Sequence, residues 1–136
     1  MRQRKPTVTN SMADDAPSIL AVEDNPENQL LLEHLLEPSF RVVIVDGVDS
    51  ALDAVSDTEF DVLLLDINLS EEKTGIELLQ MLRDRAVGCT APAIALTAYA
   101  MPGDREEFIG AGFDSYVSKP FTRKDLTDVI ESTLDA

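Results

Sequence analysis

At 136 residues the chain is the size of one compact domain with its own core, and 44% apolar with 27% charged residues is an ordinary globular balance. Its uninterrupted apolar runs, such as 62–65, fall far short of a membrane span, and residues 1–17 lack the apolar stretch of a secretory signal. The formal net charge is −15, and residues 18–136 carry 8 basic against 24 acidic side chains, which argues against direct nucleic-acid binding and favours a site that attracts cations. The single cysteine, Cys89, permits no internal disulfide and fits a reducing, cytoplasmic setting.

Residues 1–17 are largely polar, contain Pro6 and Pro17 and show no periodicity, so they read as a flexible N-terminal arm. From Ser18 the pattern alternates. Ser18 to Glu23 is a short apolar run, the mark of a strand buried on both faces. Asn25 followed by Pro26 marks a helix start, with Leu30, Leu31, Leu35 and Leu32 as candidates for its apolar face and Pro38 as its end. Phe40 to Val45 predicts a second strand, rich in β-branched residues. Asp49 or Ser50 would cap a helix to about Ser56, with Ala51, Leu52, Ala54 and Val55 facing inward. Asp61 to Asp66 predicts the third strand, and a helix from Thr74 or Gly75 to about Arg83 presents Ile76, Leu78, Leu79 and Leu82. The fourth strand is Ala93 to Thr97, followed by a helix from about Gly103 to Ala111 that Gly112 ends. Ser115 to Ser118 is a short fifth strand. Thr122 caps a last helix with a stripe of Leu126, Val129, Ile130 and Leu134.

Five strand–helix units in strict alternation predict an α/β fold with a parallel sheet covered by helices on both faces. Ligands of such sheets bind outside the carboxyl ends of the strands. The polar residues that fall there are Glu23 and Asp24 after the first strand, Asp66 and Asn68 after the third, Thr97 after the fourth and Lys119 after the fifth. Three carboxylates brought together repel one another unless a cation intervenes, and an oxygen-only donor set with few protein ligands suits Mg²⁺. The lack of a His or Cys cluster argues against zinc. Lys119 and Thr97 add a charge and a hydroxyl donor that could neutralise oxygens of a transferring phosphoryl group, with Asp66 as nucleophile. Singly, each residue also has a plain structural role: Glu23 and Asp24 as helix-capping acids, Asp66 as a loop acid, Lys119 as a solvated turn lysine. The chemical reading rests on all of them falling in order at four strand ends.

These residues resemble the receiver domain of two-component response regulators, over residues 18–136. The pieces that carry the resemblance are Val22-Glu23-Asp24-Asn25-Pro26, Leu64-Leu65-Asp66-Ile67-Asn68-Leu69, Ala95-Leu96-Thr97-Ala98-Tyr99 and Tyr116-Val117-Ser118-Lys119-Pro120-Phe121. The resemblance implies a flavodoxin-like, three-layer fold with a five-stranded sheet of order 2-1-3-4-5. It implies phosphorylation of Asp66 by a histidine kinase or His phosphotransfer protein, and Mg²⁺ held by Glu23, Asp24, Asp66 and the backbone carbonyl of Asn68. It implies that Thr97 and Lys119 contact the phosphoryl group, that Tyr116 is the switch aromatic that follows Thr97, and that Asn68 and Tyr99 tune dephosphorylation. The binding face it implies is the fourth helix, fifth strand and fifth helix, toward a downstream protein. A signalling module of this kind catalyses only its own phosphoryl transfer and autodephosphorylation. As no output domain fits after Ala136, the sequence is expected to be a stand-alone regulator or a receiver cut from a hybrid kinase or longer regulator.

Two features depart from the family pattern. Ser70 stands where many receivers have proline, and Gly75 comes one residue later than the usual glycine, which leaves a longer charged loop over residues 70–74. Two other functions on the same fold fit worse. A phosphatase using an aspartyl-phosphate would often carry a second aspartate at Asn68, and a flavin or nucleotide binder would need a glycine- or hydroxyl-rich loop in place of Glu23-Asp24-Asn25-Pro26. His34 is expected on the surface of the first helix, Cys89 in a loop, and Met101-Pro102-Gly103 at the opening of the fourth helix.

Overall fold

The computed structural model describes residues 16–37, 39–67, 74–85, 91–98 and 104–135. Five strands alternate with five helices: β1 (Ser18–Val22), α1 (Pro26–Leu36), β2 (Arg41–Val45), α2 (Val48–Asp57), β3 (Val62–Asp66), α3 (Gly75–Arg85), β4 (Ala93–Thr97), α4 (Asp104–Ala111), β5 (Ser115–Ser118) and α5 (Arg123–Asp135). The strands form one sheet of order β2-β1-β3-β4-β5, with every neighbouring pair parallel. The alternation implied the parallel sheet, and the resemblance to receiver domains implied this flavodoxin-like strand order.

The near-continuous apolar strands follow from burial on both sides of the sheet. Successive side chains point to opposite faces, so each strand feeds two cores. Leu20, Val22, Leu63, Leu65, Ala93 and Ala95 pack with Ala51 of α2, Leu78, Leu79 and Leu82 of α3, and Phe108 of α4. Ile19, Ala21, Val62, Leu64, Ile94 and Leu96 pack with Leu32 and Leu36 of α1 and with Leu126 and Ile130 of α5. Each of these fully buried leucines and isoleucines contributes about 1.5–3 kcal/mol by transfer from water.

Local chemistry sets the helix starts. Asn25 Oδ1 accepts the backbone N–H of Glu27 at 2.8 Å and of Asn28 at 3.1 Å, as its N-cap position requires. Thr74 and Glu77 form a reciprocal cap on α3: the Glu77 N–H donates to Thr74 Oγ1 at 3.2 Å and the Thr74 N–H to Glu77 Oε1 at 3.1 Å. Thr122 and Asp125 repeat the device at α5, at 3.1 and 2.9 Å.

Two local expectations change. The buried face of α1 is Leu32 and Leu36 with Leu35 beside them, while Leu30 and Leu31 are 67% and 44% exposed. In a run of three leucines only one helical phase can meet the sheet, and the docking of α1 against the sheet selects it. The second helix begins before Asp49, at Val48. Its N-cap is Gly47, whose N–H donates to Ser50 Oγ at 3.2 Å, and the Ser50 hydroxyl donates to Asp46 Oδ1 at 3.0 Å. Ser50 therefore serves the cap from the first turn rather than occupying it. Among the described residues no helix is long and apolar enough to cross a membrane. His34 is exposed; Cys89, residues 70–73 of the lengthened loop, and Met101-Pro102-Gly103 lie outside the described residues.

Candidate functional site

Strand register assembles the site. The parallel pairing sets Val22 beside Leu65, so the residues that follow, Glu23 and Asp66, emerge together at the carboxyl end of the sheet. Asp66 pairs with Leu96 and Thr97 with Ser118, which brings Thr97 and Lys119 to the same edge. The Lys119 N–H then donates to the Thr97 carbonyl at 2.7 Å, and the Lys119–Pro120 peptide is cis. Glu23, Asp66 and Thr97 are buried at 1%, 2% and 2% exposure, whereas Asp24 is exposed.

Glu23, Asp24 and Asp66 each offer a carboxylate oxygen, and these atoms lie within 4.8 Å of one another. Lys119 reaches in from the β5 side. Its Nζ is 3.0 Å from Asp66 Oδ2 and 3.3 Å from Glu23 Oε1. Backbone hydrogen bonds hold the acids in place. Glu23 Oε2 accepts the Asn25 N–H at 3.2 Å, and the Glu23 carbonyl accepts Gln29 Nε2 at 2.6 Å. The Ile67 N–H donates to the Leu96 carbonyl at 2.9 Å, locking the residue after Asp66.

The electrostatics are those of a cation site. Burial, and then the charge of Asp66, push the Glu23 carboxyl above its usual range, against the pull of the Asn25 N–H and of Lys119. For Lys119 burial acts downward, but its hydrogen bond to Asp66 and the charges of Asp66 and Glu23 outweigh it, so the ammonium is held above its usual value. With all three acids ionised, one lysine leaves two negative charges uncompensated. A divalent cation balances them, and the donors are all hard oxygens, without imidazole or thiolate. The donor set therefore fits Mg²⁺.

Gly75 also belongs to this site. Its N–H donates to the Ile67 carbonyl at 2.9 Å, closing the segment that leaves β3. A Cβ there would lie 2.5 Å from the Asp66 carbonyl oxygen and 3.0 Å from the Asp66 carbonyl carbon and the Ile67 Cα. The first turn of α3 thus sits directly against the backbone of Asp66, and only glycine permits that approach. The sequence shows the glycine and its displaced spacing but not what it touches.

Of the residues singled out in the sequence, Glu23, Asp24, Asp66, Thr97 and Lys119 come to this one end of the sheet. Tyr116 is half-buried on β5 and packs against Phe108 with ring centroids 5.9 Å apart. Asn68 and Tyr99 lie outside the described residues. Sequence reasoning missed Gln29 and Phe108. Gln29 reads as a polar helix residue, and Phe108 lies in a helix whose periodicity is weak.

Known proteins agree with this arrangement. The model of the response regulator receiver domain matches residues 19–131. The chain is 35% identical over 118 residues to the polar-differentiation response regulator DivK of Brucella ovis, covering 86% of this chain and 95% of that one. It is 30% identical over 132 residues to the sensor histidine kinase GacS of Pseudomonas protegens, covering 95% of this chain but only 14% of the kinase. Among solved structures, the receiver domain of the sensor histidine kinase PA1611 from Pseudomonas aeruginosa superimposes with a TM-score of 0.77 at 34% identity, covering 89% of this chain and 99% of that domain. That structure holds a magnesium ion in its active-site cleft. On the family match, the relatives and the fold together, the chain belongs to the response regulator receiver domains, the signalling modules of two-component systems.

Proposed function

We propose that residues 18–136 form a phosphoacceptor domain in which Asp66 takes a phosphoryl group from a phosphohistidine of a histidine kinase or phosphotransfer protein. The observation that carries this reading is the pairing of the buried Asp66 carboxylate with Lys119 Nζ at 3.0 Å, inside a cluster of three acids. A carboxylate oxygen of Asp66 attacks phosphorus, the phosphorus–nitrogen bond breaks, and the electron pair leaves with the imidazole, which takes up a proton. The product is an acyl phosphate on Asp66.

Each residue has a task in that step. The end of an apolar strand and the Ile67–Leu96 hydrogen bond hold the Asp66 backbone still, so little freedom is lost on reaction. Lys119 would exchange its contact with the Asp66 carboxylate for one with a phosphoryl oxygen, where negative charge is delivered. The Thr97 hydroxyl, one strand away, would donate to another. Glu23, Asp24, Asp66 and the backbone carbonyl of Asn68 would hold Mg²⁺, which supplies positive charge against the phosphoryl oxygens. Asn68 and Tyr99 would control how readily water reaches the acyl phosphate.

The readout is a change of surface. Thr97, drawn to the phosphoryl group, would release Tyr116 to move, and α4, β5 and α5 would present a different face to a downstream protein.

Incubation with acetyl phosphate and Mg²⁺, followed by intact-mass measurement, tests the reading. The expected result is a single phosphoryl adduct, lost in alkali and absent from Asp66→Asn. Adduct formation at the same rate and stoichiometry in Asp66→Asn would remove Asp66 from the role.

A further inference from the structure

The end of α4 is built as an aromatic clasp. Gly112 adopts φ +112°, the left-handed conformation that ends a helix. Its N–H donates to the Ile109 carbonyl at 3.1 Å, and the next N–H, of Phe113, donates to the Phe108 carbonyl at 3.0 Å. These two bonds define a Schellman cap, whose usual companion is an apolar contact between the residues equivalent to Phe113 and Phe108. Here that contact is an edge-on ring pair with centroids 6.3 Å apart at 77°. Both phenylalanines are buried, at 2% and 3% exposure, so Phe108 is gripped from its own helix end.

Phe108 has a second ring partner. Tyr116 lies against it at 5.9 Å with the planes tilted by 54°. No ring contact links Phe113 with Tyr116 among the described residues. The cap therefore fixes Phe108, and Phe108 alone of the two passes that fixation to β5. Tyr116 is half-buried and Phe108 is buried, so of the two rings the tyrosine is the one with freedom to turn, and the switch reading has it turn inward as Thr97 moves.

We propose that Phe108 is a positioning residue for Tyr116: the capped end of α4 holds the tyrosine ring in its resting place, and switching breaks the Phe108–Tyr116 contact. This rests on the reading of Tyr116 as the switch aromatic. An aromatic pair contributes enough beyond area burial that its loss raises the displaced population of Tyr116 about two- to tenfold in the unphosphorylated protein.

The test uses ring-labelled tyrosine NMR. The chain has two tyrosines, so two signals appear, and Tyr99→Phe assigns them. In wild type, beryllofluoride with Mg²⁺ should move the Tyr116 signal and weaken the ring–ring NOEs between Phe108 and Tyr116. In Phe108→Leu without beryllofluoride, the Tyr116 χ1 rotamer populations, read from three-bond couplings and so independent of the lost ring current, should already be shifted part of the way toward those of beryllofluoride-bound wild type. Phe113→Leu keeps the Phe108 ring in contact with Tyr116 and removes only its partner in the cap. It should lower the melting temperature and displace Tyr116 less than Phe108→Leu does. A wild-type Tyr116 signal that ignores beryllofluoride overturns the switch reading and the proposal with it. A wild type that responds, beside Phe108→Leu rotamer populations indistinguishable from those of unphosphorylated wild type, overturns the positioning role alone. The NOE measurement needs no substitution, so it decides the matter even if Phe108→Leu does not fold: NOEs of unchanged strength after beryllofluoride refute the proposal.

Discussion

Gly75→Ala asks how tightly the site is built from beneath. The new methyl carbon would sit 2.5 Å from the Asp66 carbonyl oxygen, where ordinary contact begins at 3.4 Å, so one backbone segment must yield by about 0.9 Å. Neither side yields easily. The residue after Asp66 is tied to Leu96 at 2.9 Å, and the glycine is tied to Ile67 at 2.9 Å. Overpacking of this kind costs about 1–3 kcal/mol. Alanine returns up to about 1 kcal/mol through lower unfolded-state entropy and better helix propensity. The net expectation is a loss of roughly 1–2 kcal/mol, a fall in melting temperature of about 3–8 °C for a domain of this size. Because the displaced atoms are the backbone of Asp66, acetyl-phosphate labelling should also slow by about tenfold or more. Gly110→Ala is the matched control, since nothing lies within 4 Å of its added methyl. It should stabilise the protein by about 0.5–1 kcal/mol and leave labelling unchanged. Thermal unfolding and labelling rates on the two variants settle the point. If both glycines behave alike, with Gly75→Ala no less stable than wild type, the close approach to Asp66 is not what requires glycine.

Mg²⁺ should raise the melting temperature reversibly to EDTA, with a gain of about 2.7 kcal/mol at a hundredfold excess over its dissociation constant; Asp24→Asn should weaken that response, and an equal response in the two proteins would remove Asp24 from the site. Lys119→Met should destabilise the metal-free protein by on the order of 1–3 kcal/mol, below the figure for a fully buried pair because the lysine side chain is 23% exposed, and Mg²⁺ should recover part of the loss. Urea melts with and without Mg²⁺ measure both effects. The raised Glu23 carboxyl means that the fold disfavours its ionised form. Its contribution is therefore whole below the ordinary value of 4.5 and is lost as pH rises through the raised value. In EDTA, the stability of wild type relative to Glu23→Gln should accordingly fall as pH rises from acid toward neutral, and a pH-independent difference would contradict the assignment.

Much of this protein is legible along the chain. Apolar runs of strand length, broken by helix periods, determine an α/β sheet, because a strand buried on both faces has no room for alternating polarity. The order of acids, threonine and lysine at successive strand ends determines which residues can meet, since parallel strands deliver all their carboxyl ends to one edge. Tertiary structure decides the rest. Leu30, Leu31 and Leu32 look alike in sequence, and only the docking of α1 against the sheet selects Leu32 for the core and leaves the other two on the surface. Gly75 shows its spacing in the sequence, but the 2.5 Å approach to Asp66 exists only once α3 packs beneath β3. Phe108 and Tyr116 are eight residues apart with a helix end between them, and only the reversal at Gly112 brings their rings into contact. Asp66 is the sharpest case. An aspartate after an apolar run is ambiguous, and what makes it a candidate acceptor is the field around it: two more carboxylates within 4.8 Å, brought by the end of β1, and one ammonium at 3.0 Å, brought by the end of β5.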